Sequence, residues 1–319
     1  MSRLLRKTDR KLIVRILGSV ASLFLLVYLM SQQGWDEILA AIRRIPTANM
    51  VVVLCLLFVS RIAISARWYT LLRLADPTIP FREALRLTLV GLFAANFLPT
   101  TVGGDVVRAA GVVRISVNPV ASTASIVVDR LVGMLGMFMI LPIGLGELGS
   151  WLQGAQRGGG LIPPAVLGLA AGHAPTRWRT RIAKWREILG RFVQSFQLWL
   201  RRPTVLIVAL GFTWVHMLCL FGEIWALLQG MGEVQSMTTI GGLWSLSYFV
   251  TLIPVSINGL GLRELSVTYI FSELAGIPIQ TALTLALILR TLDLLVSLPG
   301  AILIPTLPSN RPEGSRVGE

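Results

Sequence analysis

The chain has 319 residues, of which 54% are hydrophobic and only 14% are charged, and its mean hydropathy is +0.72. This composition excludes an ordinary soluble domain and predicts a polytopic membrane protein. The net charge of +13 is typical of basic loops that face anionic lipid, so no nucleic-acid partner is expected. The two cysteines lie in apolar runs and predict neither a disulfide framework nor a cysteine-based metal site.

The first part of the chain predicts two spans. Residues 12–30 are apolar and follow a basic N-terminus, which places that terminus in the cytoplasm. Residues 31–48 have the pattern of a short helix on the outer interface, and residues 49–72 form the second span. Arg61 lies deep in that span. The basic residues that follow are assigned to a cytoplasmic connection: Arg67, Arg73, Arg82 and Arg86.

Residues 84–118 contain two apolar pieces, each too short for a comfortable full span. We therefore predict a re-entrant hairpin with its break at residues 99–105, where Pro99 and the pair Gly103 and Gly104 interrupt the helix pattern. Irregular backbone at membrane depth is tolerated only where it lines a protein cavity, so the break also predicts a central site.

The middle of the chain is less regular. Residues 120–145 predict a span, residues 146–160 a glycine-rich external loop, and residues 161–172 a weak span. Residues 173–203 are strongly basic, and their apolar side chains recur at helical spacing. This pattern favours an amphipathic helix on the anionic cytoplasmic leaflet; the alternative is a helix packed against the bundle or a partner.

The second half repeats the first. Residues 205–228 form a span that contains His216 and Glu223, and His216 is interpreted as a bundle histidine rather than a proton relay. Residues 237–276 form the second hairpin, with its break at residues 254–264, and residues 280–305 form the last span. Residues 1–305 are thus one membrane domain, and residues 306–319 are a polar tail.

The two breaks share one spacing. Three pairs of residues are each separated by 155 positions: Pro99 and Pro254, Gly104 and Gly259, and Arg108 and Arg263. A map of about six spans and two hairpins places both termini and residues 173–203 in the cytoplasm and makes the halves antiparallel. The fold class is therefore an all-α, polytopic integral membrane protein with an inverted repeat. The alternative to a repeat is that the two breaks share a short pattern by chance.

Eight charged residues interrupt apolar sequence, and each would cost about 2.5 to 3.5 kcal/mol at a lipid-exposed helix centre. They are Asp105, Arg108, Asp129, Arg130, Arg263, Glu264, Arg290 and Asp293. We expect them to face the protein interior or water. Arg290 and Asp293 share a helix face and can pair. One interpretation is that these groups only neutralise one another. The other is that Arg108 and Arg263 bind an anionic headgroup phosphate, which guanidinium grips with two hydrogen bonds.

The remaining candidate substrate-binding residues lie at the two breaks: Asn96, Gly103, Gly104, Asn258, Gly259 and Gly261. The glycines would allow sharp turns and leave backbone amides open to an anion at a half-helix start. No nucleotide, zinc-protease or paired-aspartate motif accompanies them, so we expect no metal, no cofactor and no catalytic residue.

These motifs read N-x2-P-x3-G-G-D-x2-R at 96–108, D-R-x2-G at 129–133 and P-x-S-x-N-G-L-G-x-R-E at 254–264. In these three motifs the chain resembles a flippase-like membrane family typified by the transmembrane region of lysylphosphatidylglycerol synthase. The resemblance implies a lipid-translocating module, with relatives linked to aminoacylated phospholipids, hopanoids or polyprenyl-linked glycans. Asn258 replaces a second glycine that is common in the family. No aminoacyl-transfer domain is present before Glu319, so lysyl transfer is not expected.

The function predicted from these features is binding and translocation of an anionic lipid or lipid-linked intermediate across the cytoplasmic membrane. The expected partners are the membrane and an anionic phospholipid or a polyprenyl- or hopanoid-type lipid, with a homo-oligomer or a biosynthetic enzyme as a further partner. Two alternatives remain open: a membrane-embedded transferase acting on a lipid-linked sugar or aminoacyl lipid, and a non-transporting subunit of an envelope biosynthesis complex.

Overall fold

The computed structural model describes residue 43 and residues 45–97, 103–157, 198–252 and 261–303. Within these ranges the chain is all helical, as predicted, and we number the main helices α1 to α8. Their bounds are α1 Thr47–Ala75, α2 Phe81–Phe97, α3 Gly103–Ile115, α4 Pro119–Arg157, α5 Pro203–Gly230, α6 Met237–Thr251, α7 Leu262–Ala275 and α8 Ile279–Leu303.

Four helices are long and apolar enough to cross a membrane: α1, α4 as far as Trp151, α5 and α8. They coincide with the predicted spans at residues 49–72, 120–145, 205–228 and 280–305, and the prediction of a multi-pass membrane protein is confirmed. The predicted spans at 12–30 and 161–172 lie outside the described residues, as does the tail at 306–319. So do the basic loop, apart from its last six residues, and most of the predicted interfacial helix.

One prediction in the middle of the chain is wrong. Residues 146–157 continue α4 as helix and do not form a loop. Leucine, glutamine, glutamate, alanine and arginine in this stretch are good helix formers, and the three glycines among them do not end the helix. The helix therefore extends well past the predicted end of the span.

The helices of the first broken segment pack antiparallel. A Cβ atom on Gly104 would lie 2.4 Å from the carbonyl oxygen of Gly91, and one on Gly111 would lie 2.3 Å from a methyl group of Leu87. The later residue of α3, Gly111, thus contacts the earlier residue of α2, Leu87, and this order means that the two helices form a hairpin. At about 1.5 Å per residue, neither helix is long enough to cross a hydrocarbon core of about 30 Å.

The second broken segment has the same form. Gln235, just before α6, donates a hydrogen bond to the carbonyl of Ala275 at the end of α7 at 3.2 Å. Nearer the break, the Arg263 guanidinium lies 5.3 Å from the ring centroid of Trp244. Gly261 precedes α7 with φ +75°, a conformation that side chains with a Cβ rarely adopt. The intervening residues 253–260, like residues 98–102 of the first break, lie outside the described chain.

The halves are related by the predicted spacing. Adding 155 positions to the bounds of α1 and α2 gives the bounds of α5 and α6 to within one residue. The equivalent helices α1 and α5 pack antiparallel, because Asn49 donates to the Ala226 carbonyl at 2.8 Å while Ser60 hydrogen-bonds His216 at 2.7 Å. This arrangement is that of an inverted repeat, with a pseudo-two-fold axis near Ser60 and His216. The largest apolar core surrounds this helix pair.

Candidate functional site

Five charged side chains from three helices form cluster one: Arg67 on α1, Asp105 and Arg108 on α3, and Asp129 and Arg130 on α4. Arg67 Nε donates to Asp129 Oδ1 at 2.7 Å, and Arg108 Nη2 donates to Asp129 Oδ2 at 3.2 Å. Arg108 Nη1 also donates to Asp105 Oδ1 at 3.0 Å, and Arg130 pairs with Asp105 Oδ2. Asp129 is only 2% exposed, so both of its ion pairs are buried.

Local packing fixes the arginines of cluster one. Arg108 lies one helical turn beyond Asp105 and stacks on Trp68, with its guanidinium carbon 4.1 Å from the ring centroid. Trp68 is held by a hydrogen bond to Ser125 Oγ at 3.0 Å. A Cβ on Gly133 would lie 3.0 Å from Arg67 Nη1, so the glycine of the D-R-x2-G motif makes room for that guanidinium.

A cavity of about 220 Å³ opens beside cluster one. Its walls include all five charged residues together with Tyr248 and His216. Pockets for drug-sized ligands measure roughly 300–1,000 Å³, so this cavity fits a headgroup better than a whole lipid. Three arginines face two aspartates, which leaves one positive charge in excess. The Nε of Arg108 is buried without a hydrogen-bond partner.

Cluster two lies in the other half and also uses five residues: Arg61 on α1, Arg263 and Glu264 on α7, and Arg290 and Asp293 on α8. Asp293 pairs with Arg61 and, at 2.7 Å, with Arg263 Nη1. Arg290 Nε lies 3.7 Å from Glu264 Oε1. In each cluster one aspartate therefore joins two arginines: Asp129 of α4 in cluster one and Asp293 of α8 in cluster two. One arginine of each pair comes from α1.

The structure brings the eight charged candidates together, four in each cluster, but two predicted details are wrong. Arg290 and Asp293 do not pair; their side chains meet acids and arginines of neighbouring helices. Arg67 does not belong to a cytoplasmic connection, because α1 continues to Ala75 and Arg67 is 8% exposed within it. The sequence signal for Arg67 was its position only six residues after Arg61 in one apolar helix.

The other candidates occupy the breaks. Asn96 Nδ2 donates to Ser297 Oγ at 3.0 Å, so it ties α2 to α8. Gly103 and Gly104 are buried in the first turn of α3, and Gly261 precedes α7. Asn258 and Gly259 lie outside the described residues. His216, which hydrogen-bonds Ser60 Oγ, lines the cavity.

A model of the family described as "Lysylphosphatidylglycerol synthase TM region" matches residues 15–300. Because this match covers most of the chain, the chain belongs to that family. No curated protein sequence matches it. Membership, together with the four apolar helices, indicates a multi-pass membrane protein of lipid biosynthesis or translocation.

Proposed function

We propose that the protein translocates an anionic phospholipid across the cell membrane and that the headgroup phosphate binds in the cavity of cluster one. The observation that carries this proposal is a partly open cavity in which three arginines, two of them buried, face only two aspartates. Each arginine already has an acidic partner, but the cluster as a whole keeps a net positive charge at membrane depth, and an anion would lower the free energy of that charge. A phosphate also matches the planar fork of a guanidinium group.

The existing ion pairs set the conditions for binding. Asp105 already contacts Arg108 and Arg130, and Asp129 contacts Arg67 and Arg108. A bound phosphate would add a negative charge to arginines that are held in place and partly desolvated. Such preorganisation lowers the entropy cost of binding.

Translocation is favoured over static binding by the relation between the halves. Equivalent helices α1 and α5 are antiparallel, and each half carries a charged cluster between its hairpin and its last helix. Inverted repeats of this kind underlie alternating access in many transporters. We place both termini in the cytoplasm, because that assignment keeps the basic segments on one side.

Reconstituted liposomes test this proposal. Wild-type protein is expected to exchange labelled phosphatidylglycerol between leaflets faster than labelled phosphatidylcholine, with no covalent product. Arg108→Lys is expected to lower the rate at least several-fold, because an ammonium group keeps the charge but loses the fork. The matched control is Arg82→Lys, an exposed arginine at the start of α2, which should exchange lipid normally.

Three outcomes contradict the proposal. A new lipid product without leaflet exchange would indicate a transferase. Normal exchange by well-folded Arg108→Lys would remove the phosphate-binding role of cluster one, and thermal unfolding of each variant shows whether it is well folded. Absence of both exchange and product in active preparations would favour a non-transporting subunit.

A further inference from the structure

Glu223 is the acidic residue of the central helix pair that neither cluster includes. It lies on α5, is only 2% exposed, and its Oε1 is buried without a hydrogen-bond partner. Among the described residues no arginine, lysine or histidine forms an ion pair with it. A buried carboxylate without a partner is costly, whereas a neutral carboxyl group is tolerated.

The charged groups around Glu223 belong to cluster two. They are Arg61 on α1, Arg263 on α7 and Asp293 on α8, and Cys219 is the titratable neighbour on α5 itself. Both arginines are already bonded to Asp293. An ionised Glu223 would therefore compete with Asp293 for them, and a protonated Glu223 would leave them to Asp293.

The charge balance of the two clusters depends on this one proton. With Glu223 protonated, three arginines of cluster two face Asp293 and Glu264, which leaves one positive charge in excess, as in cluster one. With Glu223 ionised, three arginines face three acids and the excess disappears. Only with Glu223 protonated do both clusters therefore have the same net charge of one positive unit, which favours binding of an anion.

We propose that Glu223 is a proton-binding site and that it must be protonated before cluster two can hold an anionic phosphate headgroup. This inference rests on the proposed function. When the headgroup leaves cluster two, the Glu223 carboxyl releases its proton to water and the resulting carboxylate replaces the lipid anion beside Arg61 and Arg263. One proton then accompanies each lipid, and a proton gradient drives the transfer.

Coupling between the clusters has a physical route in α1. Arg61 and Arg67 are six residues apart on this helix, about 9 Å along its axis. A displacement of α1 that follows a new partner at Arg61 also moves Arg67 relative to Asp129.

Liposomes with an imposed pH gradient and labelled phosphatidylglycerol test the proton site. One coupled proton lets a gradient of about one pH unit sustain an about tenfold lipid asymmetry between leaflets, since both correspond to the same free energy. Glu223→Gln, which mimics the protonated state, is expected to exchange lipid but to lose this asymmetry. The control Glu233→Gln, at a residue beyond the end of α5, is expected to retain it.

The outcomes separate this proposal from the proposed function. No exchange by the wild type overturns the proposed function. Exchange without any gradient-dependent asymmetry overturns the proton site alone. If Glu223→Gln does not fold, Glu223→Asp provides the test, because it keeps a titratable carboxyl group and should retain the asymmetry. In addition, pH-difference infrared spectra of the wild type should contain a band from a buried carboxyl group. Absence of any buried carboxyl band that responds to pH also overturns the proton site.

Discussion

Replacing Asp129 by asparagine tests whether cluster one is a buried ion-pair network. Asp129 accepts from Arg67 Nε at 2.7 Å and from Arg108 Nη2 at 3.2 Å, and both arginine side chains are about nine-tenths buried. Asparagine keeps the shape and one oxygen but removes the charge from both contacts. Breaking a buried pair by removing one partner costs about 3–5 kcal/mol, so Asp129→Asn should lower the free energy of unfolding by about that amount.

The assay is reversible unfolding of purified protein in mixed detergent micelles. The matched control is Glu83→Gln, which removes the ion pair between Glu83 and Arg86 at 3.2 Å, where the side chains are 29% and 18% exposed. That pair is more exposed than the Asp129 pairs and involves one arginine, so its removal is expected to cost less than the loss of the Asp129 charge. If Asp129→Asn costs no more than Glu83→Gln, Asp129 does not hold the two arginines, and the assignment of cluster one as a preorganised site is wrong.

Two further changes probe the hairpin. Gly104→Ala should destabilise the protein by about 1–3 kcal/mol, because the new Cβ atom would lie 2.4 Å from the Gly91 carbonyl oxygen. The control Gly146→Ala, at a residue with open space around it, should be neutral or slightly stabilising in the same unfolding assay. Burial alone would raise the pKa of Asp76, but hydrogen bonds from Ser116, Thr78 and the backbone hold it well below its ordinary value. The stability from Asp76 is therefore present at neutral pH and is lost as the pH falls below about 4, and Asp76→Asn should flatten that part of a stability–pH curve; an unchanged acid limb would contradict this linkage.

The sequence was sufficient for the elements of the fold. Apolar runs of span length predicted about six membrane helices, because a helix satisfies its backbone internally in lipid; four of them are present in the described residues, and the other two lie outside those residues. The short pieces around Gly104 and Gly261 predicted two broken segments, and helix pairs occupy both places. The common offset of 155 positions anticipated which helices are equivalent.

The partners within the site were harder to predict. Hydropathy shows that Arg290 and Asp293 must avoid lipid, but it does not show which neighbour each meets. Spacing along a helix suggested that they pair with each other. Instead, packing of α8 against α7 gives Arg290 the carboxylate of Glu264, and Asp293 pairs with Arg263 of α7 and with the long side chain of Arg61 from α1. Arg67 was misassigned although it lies within the predicted span 49–72, because it was grouped by its charge with the basic residues that follow the span.

The helix α1 makes the two halves unequal. The offset of 155 positions places His216 and Gly222 of α5 where α1 has Arg61 and Arg67, so α5 supplies no guanidinium to either cluster. A strict repeat would have given each cluster an arginine from its own half; here α1 serves both. Under the proposed function, this inequality predicts that the two clusters bind an anion with different affinities. Transport requires that the anion have a lower free energy in a different cluster at each stage, and we propose that the proton at Glu223 supplies this change.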